Sequence, residues 1–356
     1  MRIIAFWLFA VAAMVFAMVV LGGLTRLTHS GLSMVEWRPL TGWLPPLGEA
    51  EWQRVFAEYR QFPEYREVNA GMTLGEFKGI FWLEFIHRLW GRAIGVAFAV
   101  PFLVFLALGW IERRMIPKLV LLFVLGGLQG VLGWFMVKSG LVDRPDVSQY
   151  RLVAHFALAL VIYAALIWVA LGLLAREPRP ENVRSAGLAR LAAVMTGLVF
   201  VTALSGGFVA GTDAGFAYNT FPTMDGQWIP DGLFAGDAPY LSPFEDITTI
   251  QFVHRILAIT TLVGVLALST AALRSPIAGR ARAAAVLLAV AALGQVTLGV
   301  ATLLLFVPVP LAAAHQAGAV ALFTIVLWTL FELRPDRREV ARVRQSPRTT
   351  STEQVA

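Results

Sequence analysis

Residues 79–110 read GIFWLEFIHRLWGRAIGVAFAVPFLVFLALGW. The run is long and apolar enough to cross a bilayer, for which about 20 helical residues suffice. Yet its first half carries Glu84, His87, Arg88 and Arg92. Ionisable side chains inside a span are expensive to bury and mark functional positions by default. The pattern returns downstream: Glu84-Phe85-Ile86-His87-Arg88 is echoed by Gln251-Phe252-Val253-His254-Arg255. One membrane-spanning, chemistry-bearing helix therefore has a second version in the same chain.

Working outward, the whole composition agrees. Of 356 residues, 58% are hydrophobic and 15% charged, with a mean hydropathy of +0.69. A soluble domain carries about a quarter charged residues, so the chain reads as an all-α integral membrane protein. Eight segments qualify as spans, roughly 4–24, 79–110, 118–138, 150–175, 191–211, 248–273, 283–305 and 310–332. The second is long, so its first turns are expected to emerge at the interface. The first is read as an uncleaved span rather than a signal peptide. Phe306-Val307-Pro308-Val309-Pro310 leaves room only for a tight antiparallel hairpin between the last two spans.

Basic residues set the expected orientation. Arg113, Arg114 and Lys118, then Arg176, Arg179, Arg184 and Arg190, then Arg274, Arg280 and Arg282 lie in one set of connections, together with the Arg-rich tail. The opposite side includes a loop, about 212–247, with no Lys or Arg. The positive-inside rule then makes both termini cytoplasmic, in a bacterial inner membrane. The formal charge of +6 is explained by membrane flanks and lipid headgroups, with no nucleic-acid partner.

The internal echo extends beyond the two histidine helices. LGGLTRLTHSGLSM (21–34) parallels SGGFVAGTDAGFAYNTFPTM (205–224). Gly126-Gly127-Leu128-Gln129-Gly130-Val131-Leu132-Gly133 parallels Gly294-Gln295-Val296-Thr297-Leu298-Gly299, and Ala154-His155 parallels Ala314-His315. Two pseudo-symmetric four-helix bundles follow, one in 1–175 with a large outer loop and one in 191–332, ahead of a polar cytoplasmic tail, 333–356.

His87, His155, His254 and His315 each fall a few residues inside alternate spans. At 1.5 Å per residue their depths agree within roughly 5 Å, near the periplasmic side. Two imidazoles on facing helices can supply both axial positions of a haem iron, so all four are candidate iron ligands. With no cysteine in the chain, thiolate ligation, disulfides and iron–sulfur clusters are excluded. Arg88, Arg92 and Arg255 lie near the same boundary and could meet haem propionates or snorkel to headgroups. Gly126, Gly127, Gly130, Gly133, Gly206, Gly207 and Gly211 either admit a flat macrocycle or simply let helices approach. His29, in the outer loop, is expected to be a solvated or loop-ordering residue. Glu84 stands where the second half has Gln251, which points to chemistry in the first half: proton transfer or charge stabilisation near a haem, or orientation of His87.

Taken together, Glu84-x-x-His87-Arg88, His254-Arg255, His155 and His315 resemble the haem A synthase family, and the resemblance covers essentially all eight spans. It implies that the C8 methyl group of haem O is oxidised to the formyl group of haem A with water-derived oxygen. It further implies that His87 and His155 flank the substrate, with Glu84 assisting, and that His254 and His315 hold a haem b. A haem O-producing farnesyltransferase would be the supplying partner; the oligomeric state is left open, a homo-oligomer included. Some members carry a cysteine pair in the first outer loop, which this chain lacks. Here that loop, about 25–78, is expected to be ordered by Trp37, Trp43, Trp52, Phe56 and Tyr59 in short surface helices. Two rival readings are a di-haem b-type electron-transfer protein acting on quinols, which should need haems at two depths, and a proton or metal transporter, which should need more intramembrane acids.

Overall fold

The computed structural model of the chain describes residues 1–38, 41–140, 147–175, 186–235, 238–277 and 279–334, and among these it is helical with no β-strand. Arg176, Arg179 and Arg184 and the tail beyond Arg334 lie outside the described residues. Eight helices are long and apolar enough to cross a membrane. They are α1 (Arg2–Leu27), α4 (Leu74–Ala107), α5 (Ile116–Gly140), α6 (Gln149–Leu174), α7 (Ala186–Gly211), α9 (Ile247–Arg274), α10 (Gly279–Leu304) and α11 (Val309–Leu333). Each coincides with an expected segment.

Helix α4 begins at Leu74 rather than near 79. A capping box explains it: the Thr73 side chain accepts from the Glu76 backbone N–H, while the Glu76 carboxylate accepts from the Thr73 backbone N–H at 2.7 Å. The resulting 34 residues extend about 50 Å, well beyond a hydrocarbon core of about 30 Å. The surplus turns carry Phe77, Phe81 and Phe85. These bury against Trp52, Phe56 and Tyr59 of the outer loop, which forms two short helices, α2 (Glu49–Tyr59) and α3 (Pro63–Glu67); another, α8 (Ser242–Glu245), precedes α9. Each aromatic side chain removed from water there contributes about 2–3 kcal/mol. Trp37 and Trp43 remain exposed; Trp37 instead lies 4.8 Å beneath the Arg88 guanidinium, a cation–π contact.

Within the membrane the hydrophobic drive vanishes and close fit decides. Helix α1 touches α4 and α6, and α5 closes that set by touching α4 and α6 in turn. Likewise α7 touches α9 and α11, and α10 touches both of those. The two sets meet where α1 contacts α11 and where α6 contacts α7 and α11. Leu8, Leu160, Leu166, Leu268, Leu288 and Val326 fill the resulting core, while Leu103, Leu121, Val124, Val263 and Val290 face outward, as lipid contact requires.

The expected hairpin between α10 and α11 is present. It turns through Phe306 (φ 60°) and Val307 (φ 55°), both left-handed. That conformation is unusual for a β-branched residue. It is held by the Val307 N–H donating to the Thr302 carbonyl at 2.8 Å and by Asn219 donating to the Leu303 carbonyl at 2.8 Å.

Candidate functional site: two histidine pairs

The four histidines of α4, α6, α9 and α11 share one local arrangement: each imidazole lies against a glycine of a neighbouring helix. A Cβ added to Gly22 of α1 would stand 3.6 Å from His87 Nε2, and one on Gly133 of α5 would stand 3.1 Å from His155 Cε1. The corresponding distances are 3.2 Å from Gly206 of α7 to His254 and 2.8 Å from Gly299 of α10 to His315. At Gly299 a methyl group would already displace the ring. His87 is within electrostatic reach of His155, and His254 of His315, so the rings group in twos. No three His, Cys, Asp or Glu side chains converge as for a bare metal ion among the described residues.

Side-chain contacts put the pairs at one level. Gly23, next to Gly22, abuts Gln316, the neighbour of His315, whose amide donates to the Val19 carbonyl at 3.0 Å. Gly207, next to Gly206, abuts Val153 and Phe156, which flank His155. Other glycines expected to matter behave differently. Gly126, Gly127 and Gly130 would have nothing within 4 Å of an added Cβ, whereas Gly211 lies against Gln149.

Glutamines missing from the expected site support two of the rings. Gln129 Nε2 donates to the His155 carbonyl at 3.0 Å and lies 3.3 Å from its Nε2. Gln295 Nε2 donates to the His315 carbonyl at 2.9 Å and lies 3.1 Å from its Nδ1. Both glutamine Oε1 atoms and His155 Nδ1 are buried without a hydrogen-bond partner. A sequence signal was available, since each glutamine precedes the ring-contacting glycine by one helical turn. His254 Nδ1 meets Ser205 Oγ at 2.7 Å, whereas the His87 ring makes no hydrogen bond among the described residues.

Glu84 faces the outer loop rather than His87. Its carboxylate accepts from Ser33 Oγ and the Met34 N–H, both at 2.7 Å, and from Arg88 at 2.5 Å. Arg88 also donates to the Met34 and Glu36 carbonyls. Gln251 occupies the matching place in the second half, donating to the Ala214 carbonyl and accepting from Arg255, which in turn donates to the carbonyls of Tyr218, Thr220 and Thr223. Arg92 donates to the Arg38 carbonyl at 2.8 Å. All three arginines thus hold outer loops by main-chain oxygens. His29 lies exposed in the left-handed turn after α1 (φ 50°) and Asp213 in the turn after α7 (φ 55°).

These residues suit a haem on two grounds. The four histidines are partly rather than fully buried, and each rests on a glycine of a neighbouring helix. At Gly133, Gly206 and Gly299 even a methyl group would press on the ring, so the imidazoles keep their places only because those side chains are absent. Facing neutral imidazoles are also a donor set matched to a haem iron.

The sequence has close relatives. A family model, COX15-CtaA, described as cytochrome oxidase assembly protein, matches residues 5–327. The chain is 54% identical over 335 residues to a Heme A synthase of Nitrosospira multiformis, covering 93% of each chain. It is 53% identical over 335 residues to that of Paramagnetospirillum magneticum, covering 93% of this chain and 94% of that one. It is 46% identical over 340 residues to the human Heme A synthase COX15, covering 94% of this chain and 83% of that protein.

Proposed function

The chain belongs to the COX15-CtaA family, and from that membership we propose that it is a haem A synthase with divided labour between its halves. The first half, 1–175, takes haem O between His87 and His155; the second, 191–332, holds a resident haem b between His254 and His315; 333–356 is a cytoplasmic tail. The halves act as pseudo-symmetric bundles. The observation that carries this reading is the fourfold seating of imidazoles on glycines, combined with an acid, Glu84, at one site and an amide, Gln251, at the other.

The reaction oxidises the C8 methyl group of haem O. Two hydroxylations with water-derived oxygen give a geminal diol, which loses one water to leave the formyl group. In sum the carbon takes one oxygen from water and releases four protons and four electrons. A haem b held by His254 and His315 would supply a redox-active iron to pass those electrons, one at a time, to an acceptor outside this chain. His87 and His155 fix the substrate macrocycle. Glu84, one helical turn from His87, provides a negative charge that stabilises cationic character at the methyl carbon. Its engagement by three donors suits a fixed charge better than a mobile proton carrier. Arg88, Arg92 and Arg255 place positive charge near the outer rim, where propionates would sit; Arg255 Nε is buried without a partner and so retains one donor.

We place the protein in a bacterial cytoplasmic membrane with both termini inside and the haem sites toward the periplasm, supplied with haem O by a farnesyltransferase. The shared level of the histidines speaks against an electron-transfer protein with haems at two depths. The test is expression in a host that makes haem O but not haem A, followed by chromatography of extracted haems. Haem A should appear. Unchanged haem O beside folded, haem-loaded protein would overturn the assignment.

A further inference from the structure

We propose that Ser205 is a positioning residue that fixes the tautomer of His254, and that this bond distinguishes the retained haem from the exchanged one. The proposal rests on the division of labour above. A serine hydroxyl has one hydrogen to donate. That of Ser205 is directed to the Thr202 carbonyl, 2.8 Å away, one turn back along α7. At its second contact, 2.7 Å from His254 Nδ1, Oγ can then act only as acceptor. His254 Nδ1 must carry the ring proton, which leaves the Nε2 lone pair free. That is the form of imidazole that can ligate iron, and a hydrogen bond at the far nitrogen is what sets it.

The first half lacks this device. Gly22 lies against His87 as Gly206 lies against His254, nearest to Nε2 in the first case and to Cε1 in the second, and the residue before each is Leu21 and Ser205 respectively. Leucine has no group to accept from Nδ1, and the His87 ring makes no hydrogen bond among the described residues. The contrast is confined to these two rings: at their partners the glutamine amides are donors, Gln295 Nε2 facing His315 Nδ1 and Gln129 Nε2 facing His155 Nε2. His254 therefore offers iron a prepared ligand, whereas His87 is held in no one tautomer, as suits a haem that enters and departs.

The experiment compares wild type, Ser205→Ala, Ser205→Thr, Leu21→Ser and His254→Ala, each purified in detergent and shown monodisperse. Haem b per protein, haem transfer to apomyoglobin and the reduction potential are measured. Ser205→Ala should release haem b about 10–100-fold faster, the range for loss of a group that supports a metal ligand. Its potential should rise, because a ligand without its hydrogen bond is a poorer electron donor. Ser205→Thr, which keeps the hydroxyl, should restore both. Leu21→Ser should raise the haem-to-protein ratio above wild type. Ser205→Ala with wild-type retention and potential, while His254→Ala loses haem, would overturn the inference and leave the proposed function standing. A wild type with no bound haem b, or His254→Ala that keeps it, would overturn the haem b assignment itself.

Discussion

His315 Cε1 lies so near Gly299 that a Cβ on the glycine would stand 2.8 Å away. The ring is thus positioned by an absence of side chain on the facing helix. Gly299→Val should push the imidazole aside and empty the second site. The check is the reduced-minus-oxidised α band of purified protein, expected to fall by about 10-fold or more, as for disturbed support of a metal ligand.

The matching change in the first half should separate the two sites. Gly133→Val crowds His155, with the added Cβ 3.1 Å from its ring. It should retain haem b and abolish conversion of haem O. Parallel haem extraction and chromatography decide this; loss of haem b in Gly133→Val would contradict independent sites.

Glu84→Gln gives the first site the amide of the second. Gln251 shows that an amide can hold the equivalent arginine and loop, so the variant should fold and keep haem b. Conversion should nevertheless fall about 100- to 1000-fold, the usual effect of removing a group that stabilises transition-state charge. Glu84→Ala should also destabilise the fold, since it leaves Arg88, only 8% exposed, without its partner; breaking such a pair costs about 3–5 kcal/mol. Thermal denaturation in detergent distinguishes the two variants.

The outer cap has a pH limit of its own. Burial raises the Tyr59 phenol above its ordinary value of 10.0. A raised folded value means the protonated phenol is the form that fits the cap. Its contribution is complete below about pH 10 and is lost as pH climbs toward the folded value. Limited proteolysis of the loop should accelerate above pH 10 in wild type. Tyr59→Phe should lose that alkaline component, and Tyr59→Ala should be cleaved faster at every pH, by loss of about 3–5 kcal/mol of aromatic filling.

Much of this architecture was legible in the residues. Apolar length located all eight spans because a bilayer imposes it, and the echo around His87 and His254 located two of the helices whose imidazoles lie against glycines. The early start of α4 is also written in Thr73 and Glu76, whose capping box precedes the hydrophobic run. The contacts of the arginines were not legible. Arg88 and Arg255 reach main-chain oxygens some 30 to 50 residues away, and every residue type supplies such an oxygen. Nor could composition say which glycines matter: Gly130 and Gly133 sit on one helix, yet only Gly133 meets a ring. That distinction depends on the rotation of α5 about its axis, which periodicity alone leaves undetermined.

The way Arg88 and Arg255 hold their loops bears on how this protein can change. Their grip reads only the course of the polypeptide, never the identity of its substituents. As far as this hold is concerned, Thr220 and Thr223 can exchange side chains while the loop stays moored, provided the number of residues between anchor points is kept. Insertions, not replacements, are what such a lid should fail to tolerate.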